Sequence, residues 1–514
     1  MGDRMPLPVI TPSDISWAAQ AIGLPLNAFG GADVDPRFEV FRSMETLDVA
    51  ACPGSGKTTL LVAKLAVLGS KWGSRSRGIC VLSHTNAARR EIEGRLGNTP
   101  AGHRLLRYPH FVGTIHGFIN EFLALPYLRS LGYPIKTINT EVCQRKRWFL
   151  LPYSTRLGLE KNSLSSAVLT IRSPDFSVGD VRWAKKRTLG RDTPTYEAIK
   201  KACKESTLDG YFCYDEMLMW ARCMLEAAPD VVNMIRHRFP LLFLDETQDN
   251  SEQQSTILLR TFSDGAFPVV RQRFGDSNQA IFDSGNGSNV VTDAFPHTNK
   301  IDLPNSHRFG QRIADLADPL GLSPYNMRGH GPKSNRHSHA IPNAHTIFLF
   351  SEAGSHVLDA FGELLIETFS PQELSEGVFK VVGQVHAAST DDDVTHHPKS
   401  LCHYWSQYDP DVSHLERQPE SFEEYLRIGL ARAEMSEAFW CVEGIARGIL
   451  WLSRMIELGK HVPPRRRSHR HVTSLLLDKP PILTRYRQLI TSVAVKREKS
   501  DSRVMGESLE KGRK

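Results

Sequence analysis

The sequence predicts an α/β fold organised on a parallel sheet, and three observations carry that prediction. An apolar run, Leu47-Asp-Val-Ala-Ala51, leads into a tight Pro53-Gly54-Ser55-Gly56 turn, and Lys57-Thr58-Thr59 then opens an apolar helical pattern reaching Leu68. The same succession of strand, polar turn and helix recurs over 78–96 and 111–125. A further apolar strand, Phe239-Pro-Leu-Leu-Phe-Leu244, ends in two adjacent carboxylates, Asp245 and Glu246. Short continuous apolar runs suit strands covered on both faces, as in parallel sheets.

The 514 residues are too many for one core, and about three domains is the natural expectation. With 40% hydrophobic and 23% charged residues the chain has an ordinary globular composition. A net charge of +6 permits a nucleic-acid partner without demanding one. The strongly basic stretches at 464–471 and 496–514 read equally as solvated faces or as phosphate contacts. Eight cysteines without a CxxC pair support neither a zinc site nor a redox motif. Cys52 lies inside the turn after the first strand, where a disulfide would disrupt it, so a reducing cytoplasm is expected. No run approaches the ~18 apolar residues of a membrane span, and no membrane partner is expected.

Taken in order, residues 11–22 read as a short helix capped by Ser13 or Asp14 and closed by Gly23. Residues 34–43 read as a second helix, where Arg37 is a candidate contact for an adenine base or else a surface arginine. The turn at 53–56 has the makings of a phosphate-binding loop. Its glycines let successive backbone N–H groups converge on phosphate oxygens, and the following helix start adds partial positive charge. Pro53, Gly54, Ser55, Gly56, Lys57, Thr58 and Thr59 are therefore the candidate ATP-binding residues. Lys57 would reach the β- and γ-phosphates and Thr58 would sit on Mg²⁺. Ala51 stands where the first glycine of such loops is usual.

The strand at 78–83 breaks at His84-Thr85-Asn86, whose hydroxyl and amide suit a DNA backbone, or simply cap a helix over 87–96. The strand at 111–114 runs into Thr114-Ile-His116, with a helix over 119–125, and His116 is either structural or a phosphate or base contact. Residues 127–236 change character: prolines and the basic aromatic runs 145–148 and 181–187 suggest a largely helical insertion. Its Arg/Lys/Trp mixture fits a single-strand track and an ordinary solvated helix equally.

After the insertion, Asp245 would hold Mg²⁺ through its water shell and Glu246 would polarise the water attacking the γ-phosphate. Gln248 and Asp249 follow where they can couple nucleotide state to the sheet. One more strand, from Pro268, enters the turn Gly275-Asp276-Ser-Asn-Gln279, with Gln279 suited to sensing a γ-phosphate and Phe282 to stacking on a base. A helix is expected over 303–316 with Arg308 in its first turn, suited to stabilising charge on the γ-phosphate.

The order of these segments, ACPGSGKT, SHTNAARREI, GTIHGF, LLFLDETQD, FGDSNQAIF and LPNSHRF, resembles motifs I to IV of UvrD/Rep-type superfamily-one DNA helicases. The pairing of Asp245, Glu246, Gln248 and Asp249 with Gly275, Asp276 and Gln279 is specific to that group. Within it the chain looks most like the compact helicases of Gabija-type antiphage systems, which partner a nuclease with an ABC-ATPase-like domain. The resemblance implies a P-loop NTPase with RecA-like domains, ATP and Mg²⁺ in a cleft, and 3′→5′ movement on single-stranded DNA or a single/double-strand junction. It assigns Lys57, Thr58, Asp245, Glu246, Gln279 and Arg308 to ATP and Mg²⁺. It assigns Thr85, Asn86, Thr114, His116 and Phe282 to DNA. A role in antiphage defence or DNA repair follows, with a nucleotide-responsive, truncated DNA-binding subunit of a nuclease complex as the alternative.

The chain departs from the pattern in three ways. It lacks an Asn-x-x-Gln adenine motif, carries Phe282 for the usual tyrosine, and reads Ser306-His307-Arg308 for Asn-Tyr-Arg. The expected domains are a first RecA-like domain over 1–126 and 237–302, the helical insertion at 127–236, a partial second RecA-like domain over 303–400, and a helical insertion with basic tail over 401–514. The second domain would begin with a strand at 346–350, a helix over 356–369 and a strand at 378–385. Later segments at 395–399 and 428–433 only echo the missing motifs TxHxxKGxE and VAxTRA, and a helix is expected over 435–458. The sequence reads as though it stops inside an insertion of the second domain.

Overall fold

Six parallel strands make the central sheet: β1 (Leu47–Ala51), β2 (Ile79–Ser83), β3 (Phe111–Thr114), β4 (Leu241–Asp245), β5 (Val270–Gly275) and β6 (Lys300–Leu303). Their order across the sheet is β6-β1-β5-β4-β2-β3. The α/β class and the parallel sheet are as expected from the sequence. The computed structural model describes residues 6–30, 35–84, 92, 94–95, 100–183, 187–262, 267–279 and 293–331. Further along it describes 348–349, 356–377, 379–383, 401–405, 408, 421–435, 439–455, 469, 472–473, 476 and 479–492.

Strand geometry explains the continuous apolar runs. Successive side chains leave opposite faces of a strand, so Ile79, Val81, Leu241 and Phe243 enter one core while Cys80, Leu82, Leu242 and Leu244 enter the other. The first core is closed by α1 (Pro12–Ala21), α2 (Pro36–Arg42) and α3 (Lys57–Lys71). The second is closed by α4 (Ile115–Ile119), its continuation to Ser130, residues between 133 and 235, and the helix Glu252–Phe262. The strands Ile79–Ser83 and Leu241–Asp245, covered on both sides, are accordingly apolar along nearly their whole length, whereas β1 and β5 carry the buried polar residues Asp48, Gln272 and Arg273.

Two buried polar ties fix the register of β5. Arg273 on β5 faces Asp48 on β1, 2.5 Å away and directly opposite in the ladder. Arg273 also donates to the carbonyl of Ala294, and Asp48 accepts the His297 N–H at 2.6 Å. On α3, Lys64 is fully buried and donates to the carbonyls of Val40 and Ser43 and to Gln272 Oε1, at 2.5 to 2.8 Å. Gln272 in turn donates to the carbonyls of Ser43 and Glu45. The C-terminal end of α2 is thereby tied to α3 and β5 together.

Residues 140–216 have their own polar centre. Arg147, on the helix Thr140–Leu150, is wholly buried and pairs with Glu216 on the helix Glu216–Ala227. It also donates to the Leu169 carbonyl at 2.6 Å, while Glu216 accepts the N–H groups of Ile171 and Cys213. Arg147 is therefore a structural residue and not part of a single-strand track. Lys146 is likewise engaged, with Asp209 and over the Tyr211 ring. No helix among the described residues is long and apolar enough to cross a membrane.

Several local expectations are corrected. Thr11, not Ser13 or Asp14, caps α1, and Asp14 completes a capping box as the third helical residue. Helix α4 begins at Ile115, earlier than residue 119, so His116 is in its first turn. Residues 303–310 are not helical: Leu303 ends β6, Asn305–Ser306 is a short strand paired with Arg328–Gly329, and the helix spans Gln311–Ala317. Arg308 thus precedes that helix.

The chain divides into two compact units, Met1–Arg336 and His337–Lys514. In the second, the helix Val357–Thr368 agrees with expectation, but residues 379–383 form no strand. Residues 346–347, 350 and 395–399 lie outside the described residues, as does most of 87–96. Where one helix was expected over 435–458, the helices Phe422–Met435 and Phe439–Met455 stand, and residues 428–433 fall within the former. A small core of Ile445, Ala446, Leu450, Val472, Leu483 and Tyr486 belongs to this unit.

Two stability predictions follow from these buried polar groups. Arg147→Ala strands Glu216 as an unpaired buried carboxylate and is expected to cost about 3–5 kcal/mol, measured by urea unfolding. Burial pushes the Lys64 ammonium down from 10.5 to about 7. Between those values the unfolded chain binds the proton more fully than the fold does, so this group adds stability as pH rises from 7 towards 10. The urea midpoint of the natural protein is expected to rise between pH 7 and pH 9 relative to that of Lys64→Met.

Candidate nucleotide and nucleic-acid site

Parallel strands deliver their following turns to one edge of the sheet, where α/β folds bind ligands. Because β5 lies between β1 and β4, the turn after β5 stands between the phosphate loop after β1 and the carboxylates after β4. The loop itself is built by left-handed backbone at Gly54 (φ +78°) and Gly56 (φ +84°), with Gly56 at the N-cap of α3. Lys57 and Thr58 follow as the first helical residues, where N–H groups have no helical acceptor. Ser55 Oγ is buried and, among the described residues, has no hydrogen-bond partner. An orphaned hydroxyl beside free helix-start N–H groups fits a phosphate oxygen. The Thr59 hydroxyl accepts a hydrogen bond from Arg95 at 2.9 Å.

Lys57 Nζ reaches Glu246 Oε2 at 3.2 Å, across 189 positions of sequence. Asp245 closes β4, is buried, and accepts the Glu246 N–H through Oδ1 at 3.1 Å. Glu246 adopts left-handed backbone, φ +52°. A non-glycine residue there is uncommon, and this one turns its carboxylate back to Lys57. Gln248 donates to Glu246 Oε2 at 2.8 Å and accepts the Asp276 N–H at 3.0 Å. Burial raises the carboxyls of both Asp249 and Asp276 above the ordinary range. Cys52 is pushed up to about 12 by burial and by the Asp276 charge, so it stays a thiol.

The strand Asn305–Ser306 latches the phosphate loop from the β6 side. Ser306 Oγ donates to the Pro53 carbonyl at 2.8 Å and accepts the Arg308 N–H at 3.3 Å, and the His307 N–H meets the Gly54 carbonyl at 2.8 Å. Arg308 therefore sits against Gly54: a β-carbon at residue 54 would stand 2.5 Å from the Arg308 β-carbon. Arg37 is anchored by Asp35 through Nε and Nη2 and by the Ala28 carbonyl. Its Nη1 faces the loop, 3.9 Å from where a Gly56 β-carbon would be. Gln279 is exposed in the short turn Ser277–Gln279 after β5.

Of the residues expected to face DNA, Thr85, Asn86 and Phe282 lie outside the described residues. Thr114 caps α4, accepting the Gly117 N–H at 3.0 Å. His116 stacks on Tyr214 with ring centres 3.8 Å apart, and its Nε2 bonds the Tyr214 carbonyl at 2.9 Å. Desolvation lowers its pKa, and the ring joins α4 to Tyr214. Sequence reasoning missed Ser306 and Tyr325, whose contacts with the loop and with Asp276 come from distant turns that carry no local signal.

Residues 37–290 match the UvrD/REP helicase N-terminal domain family. The chain is 25% identical over 292 residues to the ATP-dependent DNA helicase Rep of Escherichia coli, covering 53% of this chain and 40% of Rep. It is 26% identical over 296 residues to DNA helicase II of the same organism, covering 53% and 38%. A stretch of 94 residues is 33% identical to the Gabija protein GajB of Bacillus cereus, covering 18% of this chain and 17% of GajB. The matched stretch thus spans about two fifths of the length of Rep and of DNA helicase II.

Gly54→Ala forces a side chain into left-handed backbone, at about 1–2 kcal/mol, and drives it into Arg308. The variant is expected to melt below the natural protein and to bind a fluorescent ATP analogue more weakly, both read by titration in a thermal-shift instrument.

Proposed function

We infer, from the premise that residues 37–290 belong to the UvrD/REP helicase N-terminal domain family, that this chain binds ATP and DNA and uses ATP hydrolysis to move along DNA. The observation that carries the reading is the contact of Lys57 with Glu246. A hydrolytic nucleotide site needs a cation for the γ-phosphate next to a base for the attacking water, and these two residues supply both.

In the proposed cycle the γ-phosphate takes the Lys57 ammonium, and Glu246 is released towards water. Gln248, already bonded to Glu246 Oε2, holds the carboxylate in line. The N–H groups of Pro53–Thr59 other than proline's cradle the phosphates, Arg37 faces the base, Gln279 senses the γ-phosphate and Arg308 stabilises its developing charge. Thr58 and Asp245 would hold Mg²⁺, which when bound neutralises charge on the β- and γ-oxygens. Single-stranded DNA would lie over Thr85, Asn86, Thr114, His116 and Phe282, with 3′→5′ movement as the family resemblance implies. The division into a first RecA-like domain, its helical insertion and a partial second RecA-like domain belongs to the same proposal.

The stretch similar to GajB favours a second reading, in which the chain is a nucleotide-responsive DNA-binding subunit beside a nuclease in antiphage defence. DNA-stimulated phosphate release separates the two. Single-stranded DNA is expected to raise ATP turnover, and Glu246→Gln to lower kcat at least ~100-fold while nucleotide binding persists. Background turnover that Glu246→Gln leaves unchanged would instead select the binding-subunit reading.

A further inference from the structure

A chain of hydrogen bonds begins at the Lys57–Glu246 contact and leads on to residues that the proposed cycle does not use. Lys57 donates to Glu246, which also accepts from Gln248. Gln248 Oε1 accepts the Asp276 main-chain N–H at 3.0 Å. The Asp276 carboxylate accepts from the Tyr325 hydroxyl at 3.1 Å, across 49 positions of sequence. The Tyr325 N–H ends the chain on Asp318 Oδ1 at 2.9 Å.

Each link is tight. A side chain at Gly275 would stand 2.6 Å from Gln248 Oε1, so glycine there is what admits the glutamine. Asp276 is fully buried, and its Oδ2 has no hydrogen-bond partner among the described residues. The Tyr325 oxygen also accepts the Ser277 N–H at 3.2 Å. A second, independent tie runs alongside: Asn278 exchanges two hydrogen bonds with the backbone of Ser323, each 2.9 Å. The turn after β5 and residues 318–325 are therefore joined at two points.

We propose that Tyr325 is a positioning residue of the nucleotide site, coupling the Lys57–Glu246 contact to residues 318–325 through Gln248 and Asp276. This rests on the ATPase reading given above. When a γ-phosphate takes the Lys57 ammonium, Gln248 becomes the principal partner of Glu246. A shift of Glu246 then draws Gln248 and, through the shared Asp276 N–H, the carboxylate that Tyr325 holds. Conversely, Tyr325 keeps Asp276 and Gln248 in place so that Glu246 meets water at one fixed angle.

The test uses the full chain, with ATP analogue binding, DNA-stimulated phosphate release and amide hydrogen exchange over 318–325. Nucleotide is expected to change exchange at 318–325 in the natural protein and to leave it unchanged in Tyr325→Phe. The same variant is expected to lose about tenfold in kcat, one hydrogen bond's worth, with KM for ATP within about twofold. A Tyr325→Phe variant that melts lower yet keeps kcat, KM and the exchange response would overturn the proposal. Exchange at 318–325 indifferent to nucleotide in the natural protein would do the same without any variant. If Glu246→Gln is inactive while Tyr325→Phe is normal, only this proposal falls. If the analogue does not bind, the ATPase reading and this proposal fall together.

Discussion

Placing β5 between β1 and β4 sets the spacing on which the whole candidate site depends. Strands in one sheet stand about 4.8 Å apart, so the phosphate loop and the carboxylates after β4 are two strand widths from each other. Lys57 is long enough to bridge that gap and does, to Glu246. The turn carrying Asp276 fills the space between. Were β5 at an edge, Lys57 and Glu246 would either crowd or miss.

That order is held by buried charge as well as by the ladder. Arg273 and Asp48 face each other across β5 and β1, and Lys64 and Gln272 bind the end of α2 to the same strand. Buried charges stabilise little when compared with apolar replacements, but they are costly to mispair. A one-residue slip of β5 would move Arg273 away from Asp48 and Gln272 away from Lys64 together. These groups therefore act on register more than on net stability. The Arg147–Glu216 pair likewise joins the helices Thr140–Leu150 and Glu216–Ala227.

The latch at Ser306 and the relay to Tyr325 share one consequence. Segments after β6 hold the loop that follows β1, through Pro53 and Gly54, and the turn that follows β5, through Asp276. The candidate nucleotide site is thus completed by residues later in the chain than either the turn after β1 or the carboxylates after β4. Replacing the usual Asn-Tyr by Ser306-His307 is accommodated because the contacts made are a hydroxyl to a carbonyl and one backbone N–H, which neither asparagine nor tyrosine chemistry is needed to supply.

Much of this was written locally. Covered parallel strands favour short apolar runs, and glycines at 54 and 56 announce a turn with left-handed backbone, so β1, β2, β4 and the turn after β1 were legible from residues 47–59, 78–83 and 239–246 alone. So were Lys57, Asp245 and Glu246 as a group, because motif chemistry is a matter of neighbours in sequence. Tertiary structure alone decided where 303–310 would lie, since strand pairing with β1 and Arg328–Gly329 overrode a helical-looking pattern. It also made Arg147 a buried structural ion, which composition could not distinguish from a nucleic-acid contact. Only the fold could bring Tyr325 to Asp276 or Ser306 to Pro53, because hydrogen bonds between residues far apart in sequence leave no periodicity to read.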